Sequence, residues 1–211
     1  MGASKPRLVV IGAGMAGGRI VEEILKRDDT RFDISIIGAE ACATYDRIML
    51  SPVLAGEKTF EDIVTHSQEW YDSNGVKTHF GYWVQSIDTV AKNVILHDGQ
   101  TIAYDKLILA MGSDPIRLPL PGSDLSGVVA FRDLHDVEAM LDGARSGRRA
   151  VVIGGGLLGL EAAHALRLQG MDVTVVHLGS YLMERQLDAE ASALLRAELE
   201  SRAMKFELSA K

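Results

Sequence analysis

Six glycines in two matching patterns carry the clearest chemical signal in this chain. Gly12, Gly14 and Gly17 stand as Gly-x-Gly-x-x-Gly, and Gly154, Gly156 and Gly159 repeat that spacing 142 positions later. Each trio follows a short aliphatic run, Leu8–Ile11 or Ala150–Ile153, and precedes apolar residues at helical spacing. In such a turn the first glycine permits a tight strand-to-helix reversal. The second lets the backbone approach a pyrophosphate, and the third lets helix and strand pack closely. The helix that follows presents unfilled N–H groups and a partial positive charge to phosphate. Two sites for dinucleotides are therefore expected.

Acidic residues separate the two sites. Glu40 lies 23 residues after Gly17, where a carboxylate would accept hydrogen bonds from a ribose diol. In the second copy the comparable position is His177. A neutral imidazole lacks a carboxylate's two acceptor oxygens, whereas a protonated one would tolerate a 2′-phosphate. Arg185 reads as a surface arginine, with a 2′-phosphate contact as its alternative. NADH and NADPH both stay open.

Other reactive constellations are missing from the sequence. Cys42 is the one cysteine, so no intrachain disulfide and no Cys-x-x-Cys motif can form. The six histidines, His66, His79, His97, His135, His164 and His177, lack metal-ligand spacing. Neither a catalytic acid, base or nucleophile nor a metal ligand is assigned.

The elements that must position the glycines also repeat. After each helix comes a strand, Phe32–Ile37 or Asp172–Val176. The box Thr59–Asp62 predicts a helix running toward Asn74, followed by a strand at Val76–Phe80. In the second copy Asp188 predicts a helix over Ala189–Arg202 and a strand at Met204–Leu208. Each copy thus reads β-α-β-α-β, half of a dinucleotide fold. Between them Trp83–Asp88, Val94–His97 and Thr101–Tyr104 read as an antiparallel meander turning at Asp98-Gly99, with a further strand at Leu107–Ala110 ending at Gly112. Pro115, Pro119 and Pro121 follow closely, three of the chain's five prolines. The expected organisation is an α/β fold of two Rossmann-like units. Residues 1–112 form the first, with the meander; 113–148 are a connector; 149–211 are the N-terminal half of an incomplete second unit.

Composition bounds the remaining possibilities. The 211 residues are 47% hydrophobic and 24% charged, the balance of a folded globular chain. The formal charge of −7 and the absence of long Lys/Arg runs argue against nucleic acid as a partner. No apolar run is long enough to span a bilayer. Met1-Gly2 does not open a myristoylation site, because Pro6 stands where Ser or Thr is required. A cytoplasmic location is the expectation.

Two such turns flanking a meander and the Ala110-Met-Gly112 turn resemble the FAD- and NAD(P)H-dependent pyridine nucleotide oxidoreductases, with their glutathione-reductase-like fold. Residues 45–64 (YDRIMLSPVLAGEKTFEDIV), 69–71 (EWY), 151–161 (VVIGGGLLGLE), 173–178 (VTVVHL) and 182–190 (LMERQLDAE) narrow the likeness. They resemble the N-terminal flavoprotein part of the large subunit of NAD(P)H-dependent nitrite reductases, over nearly the whole chain. The resemblance implies an FAD site at Gly12, Gly14, Gly17, Glu40, Arg47 and Gly112. It implies an NAD(P)H site at Gly154, Gly156, Gly159 and Glu161, with Glu161 near the nicotinamide–flavin contact.

It further implies hydride transfer from NAD(P)H to FAD and onward electron transfer toward nitrite, as in nitrate assimilation. Siroheme and iron–sulfur centres, and a small subunit as possible partner, would lie outside this stretch, making the chain an N-terminal fragment that is inactive alone. Oligomeric state stays open. Related ferredoxin and rubredoxin reductases carry a lysine after the matching Leu-Ser, where this chain has Pro52. Disulfide reductases carry Cys-x-x-x-x-Cys, but Arg47 stands fifth after Cys42. A stand-alone ferredoxin or rubredoxin reductase, and an inactive dinucleotide-binding fragment, are the alternatives.

Overall fold

The computed structural model describes residues 4–147 and 149–210. The expectations that touch Met1, Gly2 and Lys211 lie outside them. In chain order the elements are β1 (Arg7–Ile11), α1 (Met15–Arg27), β2 (Asp33–Gly38), β3 (Thr44–Tyr45), α2 (Leu50–Ala55), β4 (Val64–His66), α3 (Gln68–Ser73), β5 (Lys77–Phe80), β6 (Val84–Asp88), β7 (Asn93–Leu96), β8 (Thr101–Ala103), β9 (Lys106–Leu109), α4 (Leu134–Ser146), β10 (Arg149–Ile153), α5 (Leu157–Leu168), β11 (Asp172–Val176), α6 (Ala189–Ser201) and β12 (Lys205–Glu207). They fall into two compact units. One holds the chain up to Arg47 with Ile63–Ser113, and the other holds Ile48–Asp62 with the chain from Asp114.

The first unit is built on a parallel sheet in the order β5-β2-β1-β9. Its central strand is buried on both faces, which is why β1 reads as an unbroken aliphatic run. Leu8 and Val10 pack with Val21, Ile34, Ile36, Tyr71 and Val76 on one face. Val9 and Ile11 pack with Ile37, Val94, Leu96 and Tyr104 on the other. The second face is covered by the antiparallel sheet β6-β7-β8, the meander expected from the sequence. Each fully buried aliphatic side chain contributes roughly 1.5–3 kcal/mol. Helix α1 ends where the Asp28 N–H reaches the Ile24 carbonyl, and Lys26 and Arg27 complement the helix dipole there.

The helix expected from Thr59 to Asn74 is not continuous. The Thr59–Asp62 box forms, with Asp62 Oδ2 accepting from the Thr59 N–H at 2.8 Å and Thr59 Oγ1 from the Asp62 N–H at 3.3 Å. It caps only a short 3-10 turn over Glu61–Ile63. Residues 64–66 then pair with Thr44–Tyr45 as β4 against β3, and the true helix, α3, starts after its cap Ser67. A nonlocal strand partner overrides the local helix signal here.

In the second unit a parallel sheet runs β10-β11-β12. Its strands lie close to the ranges read from the sequence. Val173 and Val175 are buried, as are Ala162, Ala163, Ala165 and Leu166 of α5. The stretch read as a connector contains a regular helix, α4. Asp133 caps it and accepts from the Asp136 N–H at 3.0 Å, while Asp136 accepts from the Arg132 and Asp133 N–H groups. No helix among the described residues is long and apolar enough to cross a membrane.

Candidate functional site

The two glycine turns have the same local geometry. In the first unit the Gly12 N–H donates to the Ile37 carbonyl at 2.8 Å; in the second the Gly154 N–H donates to the Val176 carbonyl at 2.8 Å. Gly12 and Gly154 adopt φ of +110° and +121°, a region that side chains rarely enter. A Cβ at Gly17 would stand 1.8 Å from the Gly12 carbonyl oxygen, and one at Gly159 would stand 2.0 Å from the Gly154 oxygen. The close helix–strand packing read from the spacing is thus present in both.

Gly14 and Gly156 are the N-caps of α1 and α5. Neither helix start has a side-chain cap or an acidic residue in its first turn. The orphan N–H groups are therefore left for an anion. A Cβ at Gly14 would find nothing nearer than Arg47 Nε at 3.9 Å, and one at Gly156 would meet nothing within 4 Å. These cradles have the open space and the donor chemistry that a pyrophosphate needs.

Around the first turn the structure brings Glu40 and Arg47 together. Arg47 Nη2 donates to Glu40 Oε1, and the Tyr45 hydroxyl donates to Glu40 Oε2 at 2.6 Å. The Arg47 guanidinium also lies 5.4 Å from the centre of the Tyr45 ring. Each Glu40 oxygen keeps a further lone pair for a hydroxyl donor. Gly112 follows β9 with a φ of +71°. The same strand end is pressed against the first turn, since a Cβ on Gly12 would lie 2.2 Å from the Ala110 carbonyl oxygen.

Around the second turn, Glu161 projects from α5 and its Oε2 accepts from Ser51 Oγ of α2 at 2.5 Å. At the C-terminal end of α5 the Gln169 side chain donates to the Leu54 carbonyl at 2.9 Å. Pro52 sits in the first turn of α2, where its missing N–H leaves no helical bond unmade. The Ser51 hydroxyl was not singled out in the sequence; its signal was its place in the Leu-Ser-Pro stretch beside the missing lysine.

His177 is placed differently from Glu40. By strand register Ile11 pairs with Ile37 and Ile153 with Val176. The residue matching His177 is therefore Gly38, and the residue matching Glu40 is Gly179. The imidazole takes the space over Gly155, whose N–H donates to His177 Nδ1 at 3.1 Å. Gly38 and Ala13 make the reciprocal arrangement in the first unit, where a Cβ on Gly38 would meet the Ala13 Cβ at 2.6 Å. With Nδ1 accepting from Gly155, Nε2 is the ring nitrogen left to face a neighbour.

Among the described residues one group of potential metal ligands, Asp133, His135 and Asp136, gathers at the start of α4, where both carboxylates serve to cap the helix.

Tandem strand–glycine turn–helix units with uncapped helix starts are the architecture of a protein that holds two dinucleotides. Residues 6–211 match the pyridine nucleotide-disulphide oxidoreductase family, and the chain belongs to it. It is 48% identical to an NAD(P)H nitrite reductase of Bacillus subtilis over 96% of this chain and 25% of that protein. It is 37% identical to the large subunit of an NADH nitrite reductase of Escherichia coli, over 98% of this chain and 24% of that protein. Among solved structures, NADH:rubredoxin oxidoreductase of Clostridium acetobutylicum superposes with a TM-score of 0.88 at 29% identity, over 99% of this chain and 54% of that one. The chain thus spans about a quarter of the length of the nitrite reductases it matches.

Proposed function

We propose that this chain is the electron-input part of an NAD(P)H-dependent nitrite reductase, with FAD at the first turn and NAD(P)H at the second. The observation that carries this is the pair of uncapped helix starts at Gly14 and Gly156, each free of acidic residues and open at the Cβ position. The 48% identity to a nitrite reductase directs the choice within the family.

Gly12, Gly14, Gly17 and Gly112 would shape the FAD cradle, with Glu40 facing a ribose diol and Arg47 holding Glu40 in place. Gly154, Gly156 and Gly159 would do the same for NAD(P)H. Glu161, held by Ser51, would lie on the nicotinamide side. When bound, FAD supplies hydride acceptance from NAD(P)H and release of electrons to a further acceptor. The chain's own residues bind, orient and desolvate; none has to donate or accept a proton.

One cysteine cannot furnish a four-thiolate cluster. Iron–sulfur and siroheme centres would then be held by sequence beyond this stretch, and so would the contact to any small subunit. The apolar side of β10 supports a longer polypeptide. Val151 and Ile153 are 65% and 58% exposed, whereas their counterparts Val9 and Ile11 are buried under the meander. The single cysteine accords with a reducing, cytoplasmic location.

The test is oxidation of NADH or NADPH by the native-length holoprotein. Oxidation that depends on nitrite supports the proposal. Oxidation that requires added ferredoxin or rubredoxin and ignores nitrite would move the assignment to a carrier-protein reductase, the reading favoured by the rubredoxin oxidoreductase superposition.

A further inference from the structure

We infer that Glu184 supplies the ribose-binding carboxylate of the second site and makes NADH the preferred reductant over NADPH. The inference rests on reading the second turn as an NAD(P)H site.

In the first unit the residue three positions beyond the strand partner of Ile11 is Glu40, the carboxylate expected to meet a ribose. In the second unit the matching position is Gly179, which has no side chain to offer. Another carboxylate occupies that space. A Cβ built on Gly179 would lie 2.1 Å from Glu184 Oε2 and 3.0 Å from Glu184 Cδ. Glu184 therefore puts its charge at the point where a side chain of residue 179 would begin.

Three contacts fix this arrangement. Leu182 is fully buried, and its Cδ2 would lie 2.7 Å from a Cβ at Gly155. The Met183 N–H donates to the Gly155 carbonyl at 2.9 Å, with Met183 at a φ of +52°. These two residues staple the loop to the middle of the glycine turn, so Glu184 is carried back over Gly179. His177, bound to the Gly155 N–H through Nδ1, turns its Nε2 toward Glu184 Oε2 at 3.9 Å. That nitrogen is buried and has no hydrogen-bond partner among the described residues.

The Glu184 side chain remains 45% exposed, so the carboxylate is within reach of a ligand. A carboxylate there accepts hydrogen bonds from a 2′,3′-diol and repels a 2′-phosphate. This is the opposite of a role for Arg185 in holding the phosphate.

The experiment measures binding and turnover on the native-length holoprotein. Binding of 5′-AMP and of adenosine 2′,5′-bisphosphate is measured by calorimetry, and kcat/KM is measured for NADH and NADPH. Wild type is expected to prefer 5′-AMP and NADH by about fiftyfold or more. Glu184→Gln, isosteric and exposed, is expected to cut that preference at least tenfold, mainly by weakening 5′-AMP and raising KM for NADH. Arg185→Ala is expected to leave both ratios unchanged. Preference for the bisphosphate in wild type, or an unchanged ratio in Glu184→Gln, would overturn the inference while leaving the NAD(P)H site standing. Failure of wild type to bind any of the four nucleotides would overturn the site assignment together with it.

Discussion

Replacing Gly14 with valine separates folding from cofactor binding. Gly14 has φ −75° and ψ −173°, extended backbone that valine adopts readily. The nearest atom to its Cβ would be Arg47 Nε at 3.9 Å, so the protein itself makes room for the side chain. The stability cost is confined to a poorer N-cap, about 1 kcal/mol. That corresponds to a fall in Tm of roughly 4 °C. The same isopropyl group stands in the way of a pyrophosphate approaching the start of α1. Losing two backbone hydrogen bonds to an anion costs about 3–6 kcal/mol, or a 10²- to 10⁴-fold loss of affinity. The expected result is a folded protein that elutes from desalting without flavin. The assay is the flavin-to-protein ratio, with a thermal melt as the control. Stoichiometric FAD in the variant would refute the placement of the pyrophosphate. A drop in Tm several times larger would refute the claim that space is open at Gly14.

Further outcomes follow from the same geometry. Gly156→Val should retain FAD and lose reduction by NAD(P)H, since nothing within 4 Å of that position opposes the side chain; flavin content and anaerobic reduction check it. Ser51→Ala removes the hydroxyl on Glu161 and should cost about 1 kcal/mol of stability in this half-exposed setting. It should also slow flavin reduction at saturating NAD(P)H without loss of FAD; an unchanged rate would deny Ser51 a positioning role. Asp105 accepts from the Arg7 backbone N–H at 2.7 Å and from its guanidinium, which lowers its pKa from the ordinary 3.8 to about 2. Its pKa is lower in the folded state, so its contribution is complete above pH 3.8 and fades as pH falls toward about 2. Arg7→Gln should return the Asp105 titration, followed by NMR, toward its ordinary value.

Much of this architecture was legible because local signals agreed with one another. The unbroken aliphatic run Leu8–Ile11 suits burial on two faces, and the glycine spacing set both turns. What escaped depended on distant partners. Val64–His66 became a strand because Thr44–Tyr45 lies alongside, and nothing within residues 59–74 announces that. The helix α4 did leave a local trace, with Asp133 and Asp136 at cap spacing. The prolines upstream drew the whole stretch toward a connector reading. In the site, the glycines and Glu40 were readable from spacing and Arg47 from the family resemblance, whereas the pairing of Arg47 with Glu40 came only with the structure. Glu184 was not readable, because its position depends on a loop turning back through Met183 onto Gly155.

The most direct measurement of the central claim is an anaerobic titration of the native-length holoprotein with NADH, following flavin absorbance, in wild type and in Gly156→Val. The account predicts that NADH bleaches the flavin of wild type once the acceptors downstream of it are filled, and that the flavin of Gly156→Val stays oxidised while fully bound. A wild-type flavin that NADH and NADPH both leave oxidised, or a Gly156→Val variant reduced as fast as wild type, would contradict it.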